Sequence, residues 1–392
     1  MSAAAASAAQ ESRPLIAHIV FRLDVGGLEN GLVNLVNGLP ADEFRHAIIA
    51  LSEATSFQKR IRRADVAVHA LGKRPGKDPA AYWRLLKLLR ALKPAIVHTR
   101  NLGTLDCTFI AWLAGVQARV HGEHGWDIFD PDGTRPRYRR MRRTLGVLIA
   151  RFVAVSRDLE GWLVDRVGIP ARKVARICNG VDTDRFQPRT AAAASLPGAA
   201  FPAGAVLIGS VTRFEEIKDP LNLVRAFITA RAAVRARGID LRLVMLGDGP
   251  LRPAALAALE AAGEAEAGWL PGAGVEVAPA LRACDVFVLG SRREGISNTI
   301  LEAMATGLPV IASATGGNLE LVLPGETGQL VPPGDSTALA ASIVRYATDA
   351  ELRARHGRAA RARALSEYSL TRMVGQYRDL YRAVGGRTGV AA

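Results

Sequence analysis

The sequence predicts an α/β protein built as two parallel-sheet domains, and three observations carry that prediction. Its 392 residues exceed what one hydrophobic core normally serves, so two domains are expected. Short apolar, β-branched runs alternate with longer stretches of helical period, the pattern of βα units whose strands are buried on both faces. That series ends in an Ala-, Pro- and Gly-rich stretch and then begins again.

Taken in order, residues 1–13 are Ala/Ser-rich without a basic n-region or a true apolar core, and are expected to be a disordered tail. Strands of a first domain, 14–190, are expected at Leu15–Phe21, Ala47–Leu51, Val66–Leu71, Ala95–His98, Ala118–His121, Phe152–Val155 and Val174–Cys178. Ala80–Leu92 has helical spacing, with Pro94 as its stop. Residues 191–204 have no periodicity and read as a linker. The second domain, 205–368, has expected strands at Ala205–Val211, Leu241–Leu246, Val275–Val277, Val286–Leu289, Pro309–Ala312 and Gly328–Val331. In 369–386 a helix with Met373, Tyr377, Leu380, Tyr381 and Val384 on one face is expected to fold back onto the first domain, followed by a tail at 387–392. Two open α/β domains of this kind bind ligands at the carboxyl ends of their strands, in a cleft they face.

Composition narrows the class. Hydrophobic residues at 49% and charged residues at 22% are ordinary globular usage. Cys107, Cys178 and Cys284 are odd in number and far apart, so neither a disulfide framework nor a zinc site is expected, and a reducing cytoplasm fits. No run of about 18 uncharged apolar residues occurs, and the stretch Thr144–Ala150 is far too short to span a bilayer, which leaves peripheral attachment to the inner face of the membrane as the expected form of contact. The net charge of +14 is lopsided: residues 1–190 carry 30 Lys/Arg against 18 Asp/Glu, and 191–392 carry 21 against 19. An anionic partner for the first half is expected, a phospholipid surface or a lipid diphosphate. Six arginines between Arg135 and Arg143, with Met141, Leu145 and Val147 beside them, are its candidate contact; a solvated helix face is the other reading. With 6% aromatic residues and no stacking motif, a nucleic-acid partner is not expected.

The chemistry is concentrated in the second domain. Ser291-Arg-Arg-Glu294-Gly295-Ile296-Ser297-Asn298-Thr299-Ile-Leu-Glu302 follows a buried strand and opens a helix near Ser297 or Asn298. Backbone N–H groups at such a helix start seat a diphosphate. Glu294 and Glu302, eight positions apart, reach different parts of one ligand and accept hydrogen bonds from vicinal sugar hydroxyls. The plainer reading is a Thr299-x-x-Glu302 capping box with Glu294 a solvated charge. Arg213 and Lys218, after the first strand of this domain, are candidates to clamp two phosphates, or else are solvated cations paired with Glu215 and Glu216. In the first domain Val25-Gly26-Gly27-Leu28 opens a helix whose backbone can approach an anion closely, or is a plain tight turn. His121-Gly-Glu123-His124 ends a strand; its two imidazoles point in different directions and lack a third ligand, so no metal site is expected. Asp130-Pro-Asp132 and Asp182-Thr-Asp184 match Asp-x-Asp formally, without the strand that should precede a metal motif.

These residues carry a resemblance. Arg213 and Lys218, Glu294 and Glu302 within Glu-Gly-x-x-Asn-x-x-Leu-Glu-Ala-Met-Ala-x-Gly-x-Pro-Val-Ile-Ala, and Gly316-Gly317-Asn318-x-Glu320 resemble the family-4 retaining glycosyltransferases of the GT-B fold. Asn179-Gly-Val-Asp-Thr-Asp-Arg-Phe186 and Gly26-Gly27-Leu-Glu-Asn30 extend the likeness over nearly the whole chain. The resemblance implies transfer of a sugar from a nucleoside diphosphate sugar to a glycan or lipid-linked acceptor. It implies that Arg213 and Lys218 hold the diphosphate, Glu302 the ribose, Glu294 the transferred sugar, and the amides of Ser297–Thr299 phosphate. His124, better placed than His121, would meet the sugar or acceptor, or else be structural. Ile296 and Ser297 depart from the commoner Glu-Gly-Phe/Leu-Pro/Gly, which leaves the donor sugar open.

No cofactor and no metal are expected, since cationic side chains and a helix N-terminus do the electrostatic work often given to Mg²⁺. The pattern is also similar to sugar transferases of bacterial exopolysaccharide and exosortase-type systems. An epimerase or phosphorylase of the same fold and a basic nucleic-acid or membrane binder are the alternatives. A nicotinamide-dependent dehydrogenase lacks its Gly-x-Gly-x-x-Gly fingerprint here.

Overall fold

A computed structural model describes residues 13–386, except 128, 190–195, 197 and 200. The expected tails, apart from Arg13, and half of the expected linker lie outside the described residues. The chain divides into two compact units, one made of 13–179 with 370–386 and the other of 180–369.

The first unit holds seven parallel strands: β1 (Leu15–Val20), β2 (Arg45–Ala50), β3 (Ala67–Ala70), β4 (Ile96–Arg100), β5 (Ala118–Glu123), β6 (Arg151–Ala154) and β7 (Val174–Arg176). Their order is β3-β2-β1-β4-β5-β6-β7, so the direction of winding reverses between β1 and β4. Alternate residues of β1 serve opposite faces. Ile16 joins a core with Leu35, Phe44 and Val120, whereas Ala17 and Ile19 join one with Leu85, Leu89 and Cys107. Leu85 and Leu89 come from the helix Pro79–Leu92, which starts at an Asp78 cap with Pro in its first turn and ends on Lys93 in the left-handed region.

The helix Leu370–Gly385 completes this unit, as its spacing predicts. Met373, Val374, Tyr377, Leu380, Tyr381 and Val384 are buried against Ile16, Leu35, Leu39 and Ile96. Each such side chain removed from water contributes about 1.5–3 kcal/mol, so a segment far away in sequence is integral to this core. Gly38 makes the close approach possible, because a Cβ there would stand 2.7 Å from Val374 Cγ2.

The second unit holds β8 (Val206–Val211), β9 (Leu241–Leu246), β10 (Gly268–Gly272), β11 (Val286–Leu289), β12 (Val310–Ser313) and β13 (Gly328–Val331). The order β10-β9-β8-β11-β12-β13 repeats the same winding, with the reversal between β8 and β11. One expected strand is corrected. Val275–Val277 is not a strand; Val277 opens the helix Val277–Ala283, and the strand is Gly268-Trp-Leu-Pro-Gly272. Its glycines and proline read as a turn, but β10 is an edge strand paired only with β9 and irregular between Trp269 and Gly272, where a missing N–H is tolerated.

The boundary also differs from the expected 190, since the first unit's initial segment ends at Asn179. Val181 N–H donates to Tyr368 O, Arg361 donates to the carbonyls of Thr183 and Phe186, and Arg189 donates to those of Arg282 and Cys284. These bonds tie the residues after Asn179 to the second unit. Among the described residues Cys107, Cys178 and Cys284 form no disulfide. No helix among the described residues is long and apolar enough to cross a membrane.

Candidate functional site

In the second unit the candidate residues sit on loops that leave β8 and β11, the two strands flanking the winding reversal, where open α/β sheets bind ligands. After β8, Thr212 N–H and Phe214 N–H donate to Leu246 O and Asp248 O, which carries the chain on beside the end of β9. Phe214 is fully buried, so its neighbours Arg213 and Glu215 turn outward and pair at 2.8 Å, with the Arg213 side chain 64% exposed. Gly249 is required beside this loop: a Cβ there would stand 2.7 Å from Phe214 O.

The chain then makes a tight turn through Glu216–Lys218 to Asp219, which has φ +47° and precedes Pro220, the first residue of the helix Pro220–Arg235. The loop after β11 is stitched to this turn by three contacts. Arg292 N–H donates to Ile217 O at 2.9 Å, and Arg292 Nε reaches Asp219 Oδ2 at 3.0 Å. Lys218 Nζ lies 2.6 Å from Glu294 Oε1, with side chains 20% and 6% exposed. Tertiary structure thus joins Lys218 to Glu294 and leaves Arg213 with Glu215.

Ser297 caps the helix Asn298–Ala305, its Oγ accepting from Ile300 N–H at 3.3 Å. The helix thus starts where expected, with Thr299 inside it, so the plainer reading of a Thr299-x-x-Glu302 capping box does not hold. The amides of Asn298 and Thr299 head the helix directly after Glu294, Gly295 and Ile296, and Glu302 lies half-buried one turn further on. The Gly316-Gly317 turn lies behind this loop. Gly316 has φ +48° and a Cβ there would collide with Glu294 O; one at Gly317 would collide with Gly295 O. The glycines let two backbones meet where Glu294 is held. Sequence reasoning gave no role to Ser210 and Ser291, buried hydroxyls near the ends of β8 and β11 with no partner among the described residues. Their signal was only a Gly-Ser step in or after each strand.

In the first unit His121 and Glu123 are structural. His121 is buried, with Nδ1 2.8 Å from Thr99 Oγ1 and Nε2 3.3 Å from Glu123 Oε1. Glu123 takes Arg142 Nε at 2.6 Å, and the Arg142 guanidinium lies 4.8 Å over the Trp162 ring. Burial alone would raise the Glu123 carboxyl, but Arg142 and His121 hold it down at about 2. This corrects the picture of the arginine run: on the helix Pro136–Leu145, Arg142 is buried, while Arg135 before it, Arg137, Arg140 and Arg143 are exposed.

His124 follows β5, and its N–H donates to Asn101 Oδ1 at 2.7 Å. Its Nε2 has no partner among the described residues, and burial followed by Arg100 pushes the ring down to about 3, so it is neutral at pH 7. At Gly26 the backbone is extended (φ −163°) and ends at the helix Gly27–Gly38. Beside the backbone expected to approach an anion, a Cβ on Gly26 would collide with Glu29 Oε2, and burial pushes that carboxyl up. Glycine at 26 makes room for Glu29. The two Asp-x-Asp matches also form turns, Asp130 accepting from Arg135 N–H and Asp182 from Asp184 and Arg185 N–H.

Comparison with known proteins fits this geometry. Residues 25–185 match the family described as Glycosyltransferase Family 4, and 205–349 match Glycosyl transferases group 1. A putative colanic acid biosynthesis glycosyltransferase of Salmonella typhimurium is 32% identical over 317 residues, 73% of this chain and 74% of that one. The chain belongs to the family-4, group 1 glycosyltransferases. Among other relatives of this glycosyltransferase-family chain is the D-inositol 3-phosphate glycosyltransferase of Stackebrandtia nassauensis. It is 34% identical over 242 residues, 59% of this chain and 54% of the relative, so the match spans about half the relative's length. The fold is that of HepE of Anabaena, solved in complex with UDP and glucose, at TM-score 0.80 and 18% identity over 95% of this chain and all of that one.

Proposed function

We propose that the protein transfers a sugar, with retention, from a nucleoside diphosphate sugar to a glycan or lipid-linked acceptor in bacterial surface or exopolysaccharide assembly. The observation that carries this reading is the Lys218–Glu294 pair at 2.6 Å, which joins the loops after β8 and β11 at the head of the helix Asn298–Ala305. A carboxylate for sugar hydroxyls, an ammonium for phosphate and a row of helix amides stand together there. In the proposed mechanism Lys218 and Arg213 bear the charge that grows on the departing nucleoside diphosphate, helped by the amides of Ser297, Asn298 and Thr299. Arg213 exchanges its exposed Glu215 partner for phosphate. Glu294 aligns the transferred sugar, Glu302 the ribose, and neutral His124 offers Nε2 to the sugar or acceptor. Because cationic groups meet the leaving charge, no divalent metal is required. The UDP and glucose bound to HepE and the colanic acid assignment of the Salmonella relative support the reading. Exposed Arg135, Arg137, Arg140 and Arg143 are the proposed contacts with an anionic membrane.

Turnover of a panel of nucleotide sugars, with and without EDTA, tests the activity. Glu302→Gln should weaken binding of both the free nucleoside diphosphate and the sugar donor, whereas Glu294→Gln should weaken chiefly the sugar donor. Equal losses for both ligands in both variants would overturn the assignment, and a full loss in EDTA restored by Mg²⁺ would overturn the metal-free mechanism.

A further inference from the structure

The proposed sugar chemistry uses the carboxyl ends of the strands, but the first unit also carries a built feature at their amino ends. Arg119 is the second residue of β5, Arg151 opens β6, and Arg172 and Lys173 directly precede β7. These three strands are adjacent and parallel, so the four side chains gather at one edge, opposite the loops that hold Gly26, Asn101 and His124. Together with exposed Val147 they line a cavity of about 350 Å³.

Among the described residues, none of the four forms an ion pair with a carboxylate. Arg119 Nε donates to Leu148 O at 2.6 Å, Lys173 Nζ to Gly146 O and Ile149 O at 2.8 and 2.9 Å, and Arg151 Nη1 to Ala150 O at 3.3 Å. Those bonds fix the heads of three cations around the cavity without neutralising them. The crowding has a cost: burial first, then Arg172, Arg119 and Arg151, lowers the affinity of Lys173 for its proton. Like charges gathered beside a cavity without a counter-charge are relieved by a bound anion, and guanidinium forks match phosphate oxygens.

We propose that this cavity is a phosphate-binding site, separate from the candidate sugar-transfer residues, that takes a phosphate mono- or diester. A small phosphorylated metabolite and a phospholipid headgroup offer the same group, and the experiment separates them. Arg151→Gln/Arg172→Gln removes two of the four charges without removing the bonds that Arg119 and Lys173 make. The full-length chain carrying Arg213→Ala and Lys218→Ala serves as parent, so that the site in the second unit does not report.

Parent and pocket variant are titrated with inorganic phosphate and glycerol 3-phosphate by calorimetry, and with phosphatidylglycerol and phosphatidylcholine vesicles by co-sedimentation. Saturable phosphate binding that is at least tenfold weaker in the variant supports a soluble ligand. Attachment to phosphatidylglycerol vesicles that is at least tenfold weaker in the variant, and not competed by free phosphate, supports a lipid headgroup. Equal binding of every probe by both proteins, or no binding of any probe by the parent, overturns the proposal; equal vesicle attachment beside weakened phosphate binding is the soluble-ligand outcome, since Arg135, Arg137, Arg140 and Arg143 are unchanged in both. Matching urea midpoints show that the variant is folded; if they differ, Arg172→Gln alone, at an exposed side chain, carries the same test with the same outcomes.

Discussion

Replacing Lys218 with Met and Glu294 with Gln, singly and together, separates the stability of their contact from its chemistry. The side chains meet at 2.6 Å but are unequally covered, 20% exposed for Lys218 and 6% for Glu294. In Lys218→Met the Glu294 carboxylate is left buried and unpaired. Such one-sided removal costs 3–5 kcal/mol in well-buried pairs, and the partial exposure of Lys218 puts this case near the lower end, about 3 kcal/mol. In Glu294→Gln the flexible ammonium swings to water, and the expected cost is about 1 kcal/mol. The double variant has neither orphan charge, so it should lose only about 1 kcal/mol, recovering most of the loss of Lys218→Met and giving a coupling of about 3 kcal/mol. Urea denaturation of all four proteins measures this cycle, and nucleotide-sugar turnover measured alongside should fall at least tenfold in every variant, the double included. Equal destabilisation by the two single changes with an additive double variant would refute the burial argument, and restored turnover in the double variant would refute the chemical one.

Stability should fall on acidification through pH 6.5. Burial is the first cause that depresses His18, His46, His98 and His124, His46 and His124 to about 3. The unfolded chain therefore binds more protons between those values and about 6.5, and each ring withdraws up to about 1.4 kcal/mol per pH unit in that window. A urea midpoint that stays flat from pH 7 to pH 5.5 would contradict this. Gly316→Ala should strain a left-handed residue by about 1–2 kcal/mol and drive a Cβ into Glu294 O, weakening sugar-donor binding at least tenfold; unchanged donor titrations would show that the loop tolerates it. On the helix Pro136–Leu145, Arg142→Met should destabilise by about 3 kcal/mol through the abandoned Glu123 carboxylate, whereas exposed Arg140→Ser should stay within about 0.5 kcal/mol. Equal urea midpoints for these two variants would show that burial does not distinguish them.

The wound parallel sheets were legible because their strands are short apolar runs, and burial on both faces makes such runs stand out. β10 was not, since an edge strand needs pairing on one side only and admits the glycines and proline that elsewhere mark a turn. The site was legible to the level of residue types. Glu294, Ser297 and Glu302 follow a buried strand and open a helix, and Arg213 and Lys218 follow another. Partnership was not, because charge in a sequence carries no information on burial. Arg142 looked like one of six exposed arginines and is the buried counter-ion of Glu123. Glu29 stood in the sequence only as part of the Gly26–Asn30 match, and it fills the space that Gly26 leaves.

By itself the sequence determined two α/β domains, a C-terminal helix with one apolar face, and the cations and carboxylates available to a sugar donor. These follow from periodicity and residue chemistry, which are local. Tertiary structure decided that β8 and β11 are neighbours across the winding reversal, and so that Lys218 answers to Glu294 while Arg213 stays with Glu215. It also decided that the chain leaves the first unit at Asn179. Those outcomes depend on which distant backbones lie side by side. The order of strands in a sheet sets that, and the spacing of apolar residues along the chain does not record it.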